Sequence, residues 1–148
     1  MCGRYTLSEP NDIYDRFEIE RGSFQMQPNY NVAPSMDMPV ITTDYKLQIM
    51  SWGFIPVWEK SERPKFRPIN ARDDSVAVKP IFKKAMEMNR CIVPASGFYE
   101  WQKNKEGKVP YYIHLKNDEL FGFAGLYSTW TSPKGINVLS YLIITTKP

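Results

Sequence analysis

Residues 91–127, CIVPASGFYEWQKNKEGKVPYYIHLKNDELFGFAGLY, decide the fold, because apolar and polar residues alternate along much of this stretch. Alternation with a period of two is typical of half-buried β-strands. Turn-forming segments at 104–108 and 116–119 interrupt the pattern. A further alternating segment, 136–145, follows a turn at 132–135. The pattern predicts an antiparallel meander with strands at Cys91–Val93, Gly97–Gln102, Val109–Leu115, Leu120–Tyr127 and Ile136–Thr145.

The chain before this meander is less regular. Ser8 is placed to cap a short helix in which Ile13 and Phe17 share a face. Residues 21–37 are rich in Gly, Pro and Asn, which predicts a loop. Lys46–Phe54 alternates and is predicted to form a strand, and a proline-rich loop follows it.

A second helix is predicted from Val78 to Asn89, where Ile81, Ala85 and Met88 form an apolar stripe. Twelve prolines argue against a mainly helical protein. The predicted fold class is therefore α+β, with a curved, barrel-like antiparallel β-sheet core and a few peripheral helices. The length is that of one domain, spanning residues 1–148.

The charge distribution offers one local feature. The net charge is only +3, but a basic cluster lies between residues 60 and 72, where Glu62 is the single acid. Such clusters are more often solvated loops than binding sites, so both interpretations stay open. No secretory segment or long apolar stretch occurs, which predicts a soluble cytoplasmic protein, monomeric and without a membrane partner. The cations of the cluster are Lys60, Arg63, Lys65, Arg67 and Arg72.

The two cysteines need separate explanations. Cys2 and Cys91 are too far apart in sequence for a metal-binding pattern, and no cofactor motif occurs. A disulfide between them is not expected inside a cell. Cys91 lies in an apolar run and is predicted to be an inert core residue. Cys2 differs, because removal of Met1 would make it the N-terminal residue.

An N-terminal cysteine carries an amine and a thiol two carbons apart. The α-amine, with an ordinary pKa of about 7.7–8.0, is partly unprotonated at neutral pH. It can attack an aldehyde to form a Schiff base, and the thiol can then close a five-membered thiazolidine ring. The linked nucleophiles convert a reversible imine into a durable adduct. Taken alone, Cys2 is also compatible with an accidental second residue.

Three other polar residues are considered as candidates for a role in catalysis. Glu100 lies between Tyr99 and Trp101, where apolar neighbours would suit its carboxyl group to proton transfer near neutrality. A position on the solvent face of a half-buried strand is equally compatible with the pattern. Asn70 follows the proline-rich loop and either orients a nucleophile or closes a turn. His114 is the single histidine and is interpreted as structural or solvent-facing.

Together these signals form a set of motifs. The chain resembles the SRAP (SOS-response-associated peptidase) family of abasic-site DNA–protein crosslinking proteins, from residue 2 to about residue 146. As a set, the motifs are highly specific. They are Met1-Cys2-Gly3-Arg4-Tyr5, Tyr30-Asn31-Val32-Ala33-Pro34, Ser51-Trp52-Gly53-Phe54-Ile55-Pro56, Ile69-Asn70-Ala71-Arg72 and the block from Pro94 to Trp101.

The resemblance implies a function and a role for each matching residue. Cys2 would link to C1′ of a ring-opened abasic sugar in single-stranded DNA after removal of Met1. Asn70 would hold the sugar, and Glu100 would move protons during imine formation and ring closure. Lyase and autopeptidase activities are also implied, with no cofactor or metal. Phosphate contacts are implied for Arg4 and Arg72, and a pocket for splayed nucleotides is implied for Trp52 and Pro34.

The chain departs from the family at its end. The family has a catalytic His after the strand that matches Ile136–Thr145, and this sequence ends at Pro148. We therefore expect a domain that lacks its C-terminal segment, in which His114 does not replace the missing His. Two other interpretations stay open: a noncovalent single-stranded nucleic-acid binding module, and an autoprocessing cysteine peptidase that cleaves the bond between Met1 and Cys2.

Overall fold

The computed structural model describes residues 2–147, and within them it has ten β-strands, two short α-helices and one 3₁₀ turn. The strands are β1 (Tyr5–Leu7), β2 (Asn29–Val32), β3 (Asp37–Thr42), β4 (Leu47–Trp52), β5 (Asn70–Arg72), β6 (Arg90–Ala95), β7 (Gly97–Asn104), β8 (Gly107–His114), β9 (Phe121–Thr131) and β10 (Asn137–Thr145). The helices are α1 (Ile13–Arg16) and α2 (Pro80–Met88), and the 3₁₀ turn is Pro10–Asp12. No helix in this part of the chain is long and apolar enough to cross a bilayer.

Five strands close into a barrel in the order β4-β3-β6-β9-β10, because β10 also pairs with β4. Strand β10 is antiparallel to β9 but parallel to β4 and to the short β5, so the barrel is mixed. The predicted barrel-like α+β fold is confirmed. The sequence pattern could not reveal the parallel pairings, since they join strands far apart in the chain.

A second sheet lies beside the barrel, with the order β2-β1-β7-β8 and antiparallel pairing throughout. The prediction of one meander is therefore wrong, because β6 pairs with β9 and the β7–β8 hairpin joins β1 instead. Phe98 of β7 is half-buried, and its ring packs edge-to-face against Phe121 and Phe123 of β9, which places the second sheet against the barrel.

The centre of the barrel is aromatic. Trp52 is fully buried, stacks on Tyr141 with ring centroids 6.3 Å apart and meets Tyr5 edge-on at 5.2 Å. The hydroxyl groups of Tyr5 and Tyr141 share a hydrogen bond of 2.8 Å, which satisfies two polar atoms that burial would otherwise penalise. Burial raises the pKa of both tyrosines, so both phenols stay protonated at neutral pH.

Helix α2 covers a second, smaller core. Its residues Phe82 and Ala85 are buried, and the Phe82 ring meets Phe54 edge-on with centroids 5.8 Å apart. The predicted helix is confirmed, although it is slightly shorter than Val78–Asn89. It begins at Pro80, where the missing N–H costs nothing because the first helical N–H groups have no intrahelical partner.

Two local predictions are wrong. Ser8 does not cap a helix; its backbone N–H and its hydroxyl both contact the hydroxyl of Ser96, at 2.8 and 2.9 Å. Residues 21–37 are not all loop, because Asn29–Val32 pairs with β1. Only Val32 of this short strand is buried, so the strand has no alternating apolar pattern. Its asparagines are typical of turns, and for this reason the sequence did not indicate an extended conformation.

Candidate functional site

Cys2 lies just before β1 and is 4% exposed, packed with the main hydrophobic core. Its thiol donates a weak hydrogen bond to the backbone carbonyl of Arg4, with sulfur and oxygen 3.8 Å apart. Burial raises the pKa of the Cys2 thiol to about 11; the hydrogen bond to Arg4 opposes this shift, and the Glu100 carboxylate adds to it. The thiol is therefore protonated at neutral pH.

A cleft of about 740 Å³ opens beside Cys2. The β7–β8 hairpin forms one wall, and the end of β10 with the residues after it forms the other. Its lining is mainly apolar, with Glu100 as the carboxylate in the wall. An apolar cleft with few polar groups is the usual form of a small-molecule or cofactor site. Lining residues besides Cys2 and Glu100 include Phe98, Tyr111, Ile143 and Thr145.

Asn70 is held beside Cys2 by the parallel pairing of β5 with β10, in which Asn70 is opposite Ile143. Its Nδ2 donates to the backbone carbonyl of Cys2 at 2.8 Å. Its Oδ1 is buried and has no hydrogen-bond partner among the described residues. Since buried acceptors are normally paired, this oxygen is an unsatisfied polar atom next to Cys2.

Glu100 is half-buried on β7, opposite Tyr111 of β8. Positions two residues apart on a strand share a face, so Glu100 lies on the same side as Phe98, toward the cleft. Cys2, Asn70 and Glu100 are thus brought together from three separate parts of the chain. Their catalytic roles stay predictions.

The two arginines predicted to bind DNA differ in their surroundings. Arg4 is half-buried and donates to the side-chain oxygen of Asn31 at 3.0 Å. Arg72 is exposed and its guanidinium lies 2.9 Å from a carboxylate oxygen of Asp74, which raises the pKa of Arg72. A phosphate that binds Arg72 would therefore compete with Asp74.

Pro34 and Trp52 are joined through backbone hydrogen bonds. Pro34 is exposed in the turn 33–36, which places Ser35 at a positive φ of 74°, as at the third position of a type II turn. Ser35 donates to the carbonyl of Trp52 at 2.8 Å, and Trp52 donates to Met36 at 3.0 Å. The Trp52 ring is fully buried and its Nε1 donates to the Ile69 carbonyl. Trp52 therefore supports the turn 33–36 through its backbone, and its ring offers no surface on which a base could stack.

The sequence reasoning did not select several residues that line the cleft. Tyr111 and Gln102 lie on the same side of the hairpin as Glu100, and the alternation of β7 and β8 is a signal that could have found them. Thr145 reaches the cleft through the parallel pairing of β10 with β5. No local pattern reveals such a pairing.

Cys91 and His114 are located away from this arrangement. Cys91 is 7% exposed, and burial raises the pKa of its thiol to about 12, so its predicted core position is confirmed. His114 ends β8, and its Nδ1 lies 2.7 Å from a carboxylate oxygen of Asp118. Both cysteines are free thiols. The predicted removal of Met1 concerns a residue outside those described.

The described residues, 2–147, contain no group of three or more His, Cys, Asp or Glu side chains placed to hold a metal ion. The cleft brings together the Cys2 thiol and the Glu100 carboxyl group, and the Asn70 amide is bonded to the Cys2 backbone beside it. Such a set can form a covalent bond to an electrophile, exchange protons with it and hold it by hydrogen bonds.

A mixed β-barrel with a cysteine-containing cleft beside its N-terminal strand defines the structural class. The model of the family SOS response associated peptidase (SRAP) matches residues 1–148, and the chain belongs to this family.

Named relatives match almost the whole length of the chain. The abasic site processing protein YoqW of Bacillus subtilis (strain 168) is 43% identical over 155 residues, covering 100% of this chain and 69% of that protein. The abasic site processing protein HMCES of Xenopus tropicalis is 31% identical over 192 residues, covering 98% of this chain and 57% of that protein. A crystal structure of a Bacteroides thetaiotaomicron protein matches with a TM-score of 0.91 and 30% identity, covering 99% of this chain and 68% of the other.

Proposed function

We propose that this chain captures abasic sites in single-stranded DNA by forming a covalent bond through Cys2. The observation that carries the proposal is that Cys2 and Glu100 line one cleft and Asn70 is hydrogen-bonded to Cys2, in a chain whose relatives are named abasic site processing proteins. An abasic site in its ring-opened form carries an aldehyde, which is the electrophile that a linked amine and thiol trap best.

The reaction begins at the amine. Once Met1 is removed, by an aminopeptidase or by autoprocessing, the Cys2 nitrogen attacks C1′ of the aldehyde to form a carbinolamine. Loss of water gives the imine, with Glu100 donating the proton that the departing hydroxyl needs. The burial of the thiol supports this order, because burial disfavours the thiolate and so makes the sulfur a poor first nucleophile at neutral pH.

Ring closure completes the capture. The Cys2 sulfur bonds to the imine carbon, its proton passes to the nitrogen through Glu100, and a thiazolidine results. No electrons are gained or lost and one water is released overall. The sulfur and nitrogen belong to one residue, so the closing step is intramolecular and gains the corresponding proximity advantage.

Asn70 positions both partners. Its Nδ2 already fixes the Cys2 backbone at 2.8 Å, and its unpaired Oδ1 is placed to accept a hydrogen bond from a sugar hydroxyl or from the attacking nitrogen. Arg4 and Arg72 hold the phosphates, and the Pro34 turn, supported by buried Trp52, shapes the approach of the strand. An abasic nucleotide has no base to unstack, which favours the lesion over intact DNA. We propose that the chain acts as a monomer at the nucleoid.

The test mixes the protein with single-stranded DNA that carries one abasic site and separates the products on a denaturing gel. A heat-stable shifted band is expected for wild type and for Cys91→Ala, a control that removes the other buried thiol. Cys2→Ser keeps the amine but cannot close a thiazolidine, so its stable band should be lost. Equal stable yields from Cys2→Ser and wild type would overturn the proposal.

A further inference from the structure

The four-stranded sheet has a second side, away from Glu100, of which the proposed capture reaction uses only Arg4. Paired residues in antiparallel strands share a face. Tyr99 is opposite Tyr112, and Lys103 is opposite Lys108, so these four lie on the side away from Glu100. We name this surface the outer sheet face; its residues include Arg4, Thr6, Tyr99, Trp101, Lys103, Lys108, Pro110, Tyr112 and His114.

The ring of Tyr112 lies flat on this face. Its hydroxyl is 2.9 Å from the hydroxyl of Thr6, two strands away, so the side chain spans β7. It passes over Gly97, where an added Cβ would lie only 2.4–2.5 Å from ring atoms. A residue with a Cβ at position 97 would therefore prevent the Tyr112 ring from packing against the sheet in this position. One face of the ring is against the sheet, and the side chain remains 44% exposed.

Two further rings extend this platform. The His114 ring stacks with Tyr112 at a centroid distance of 5.2 Å and an interplanar angle of 19°, and the Tyr99 ring centroid also lies 5.2 Å from that of Tyr112, at an angle of 43°. Asp118 holds His114 at 2.7 Å, and the hydroxyl of Tyr99 donates to the Tyr30 carbonyl at 3.2 Å. The rings are therefore fixed in place before any ligand binds, which lowers the entropy cost of stacking on them.

Cations flank the platform. Arg4 lies at one side and is bonded to the neutral Asn31, so no carboxylate neutralises it in the described contacts. Lys103 and Lys108 lie at the hairpin end, and neither takes part in the ion pairs described for residues 2–147. The acidic residues nearest to this surface in sequence are Glu100, on the opposite face of β7, Glu106, in the hairpin turn, and Asp118, which is engaged by His114.

We propose that the outer sheet face binds single-stranded DNA noncovalently, with bases stacked on Tyr112 and its ring neighbours and phosphates held by Arg4, Lys103 and Lys108. Single-strand binders combine a cationic track with aromatic stacking surfaces in this way. The choice of DNA among polyanions rests on the proposed function. The binding itself needs neither Cys2 nor a lesion. Strand β8 is the edge of its sheet, so one strand of DNA can contact this face and turn around β8 into the cleft.

The test measures binding of a fluorescein-labelled, undamaged oligothymidylate to the chain by fluorescence anisotropy at low salt. Tyr112→Leu keeps an apolar side chain but removes the stacking ring, and we expect it to weaken binding at least about fivefold. Tyr45→Leu, which changes a tyrosine that is 72% exposed elsewhere, is the matched control and should bind like wild type. Equal weakening by both variants, or by neither, would contradict the proposal.

A charge variant keeps the test decisive if Tyr112→Leu fails to fold. Lys103→Gln with Lys108→Gln alters two exposed side chains and should lower the salt slope of binding by about 1.4, from about 0.7 per phosphate contact on a single strand. Lys83→Gln with Lys84→Gln, two lysines of α2, is the matched control and should leave the slope unchanged. An unchanged slope for both pairs would overturn the assignment.

The two proposals fail separately. Loss of stable crosslinks with retained Tyr112-dependent binding of undamaged strands would reject covalent capture and support the platform. Normal crosslinking together with Tyr112-independent binding would support capture and reject the platform.

Discussion

Replacing Asn70 with leucine separates the structural contribution of this side chain from its chemical one. The change removes the Nδ2 donor, which leaves the buried Cys2 carbonyl without its 2.8 Å partner. Such a loss costs about 1–3 kcal/mol. It also removes Oδ1, a buried acceptor with no partner among the described residues, whose desolvation penalty is of the same size, about 1–3 kcal/mol.

The two effects oppose each other, so the free energy of unfolding should change by no more than about 2 kcal/mol. Urea unfolding followed by tryptophan fluorescence measures this, since Trp52 and Trp130 are buried and report on the core. Crosslinking to an abasic strand should slow at least about tenfold, because a charge-assisted hydrogen bond in the reacting complex is worth about 1.5–3 kcal/mol.

A structural role alone would give a different pair of results. If Asn70→Leu lowered the free energy of unfolding by more than about 2 kcal/mol, the unpaired Oδ1 would not destabilise the folded protein in the absence of DNA. If the variant were stable and still crosslinked at the wild-type rate, Asn70 would have no part in the reaction. Either result refutes the reasoning.

Three further predictions concern other parts of the molecule. Burial raises the pKa of the Cys91 thiol from 9.0 to about 12. The protonated thiol therefore contributes its full stabilisation below pH 9, and this stabilisation is lost as the pH rises toward 12. Between pH 7 and pH 10, urea unfolding should show that the free energy of unfolding falls by about 1.4 kcal/mol more for wild type than for Cys91→Ala. Gly97→Ala forces a methyl group into the Tyr112 ring and should cost about 1–3 kcal/mol in thermal unfolding. Asp74→Asn frees Arg72 from its ion pair and should tighten single-stranded DNA binding at low salt, measured by anisotropy.

Opposite results would be informative in each case. Parallel pH profiles for wild type and Cys91→Ala would mean that the thiol is hydrated in the folded protein. An unchanged unfolding temperature for Gly97→Ala would mean that the Tyr112 ring does not lie on the sheet. Unchanged or weaker binding by Asp74→Asn would remove Arg72 from the DNA contacts.

The fold was predictable where the pattern was long and local. Helix α2 and strands such as β10 carry a clear period, and each was found within a few residues of its observed bounds. Strands β2 and β5 have four and three residues, too few for a period to emerge. Strand partners were not predictable either, because alternation defines the two faces of a strand and says nothing of its neighbour; the β7–β8 hairpin was misassigned for this reason.

The sequence predicted which residues belong to the candidate site, but it did not predict their burial or their contacts. Cys2 and Glu100 were selected from their chemistry, and their contact with one cleft follows from pairing between distant strands. The deep burial of Cys2 and of Trp52 was not predicted, because the residues around each of them do not distinguish a core position from an exposed one. The contact between Tyr99 and Tyr112 was missed because it depends on the register of the β7–β8 hairpin, which alternation alone does not define.

The most direct test of covalent capture is mass spectrometry of the crosslink after proteolysis and nuclease digestion. The account predicts one modified peptide that begins at Cys2, lacks Met1 and gains the abasic nucleotide less one water. Borohydride should not change its mass, because a thiazolidine has no imine to reduce. An adduct on a lysine, an adduct that keeps Met1, or one that survives only after borohydride reduction would contradict the account.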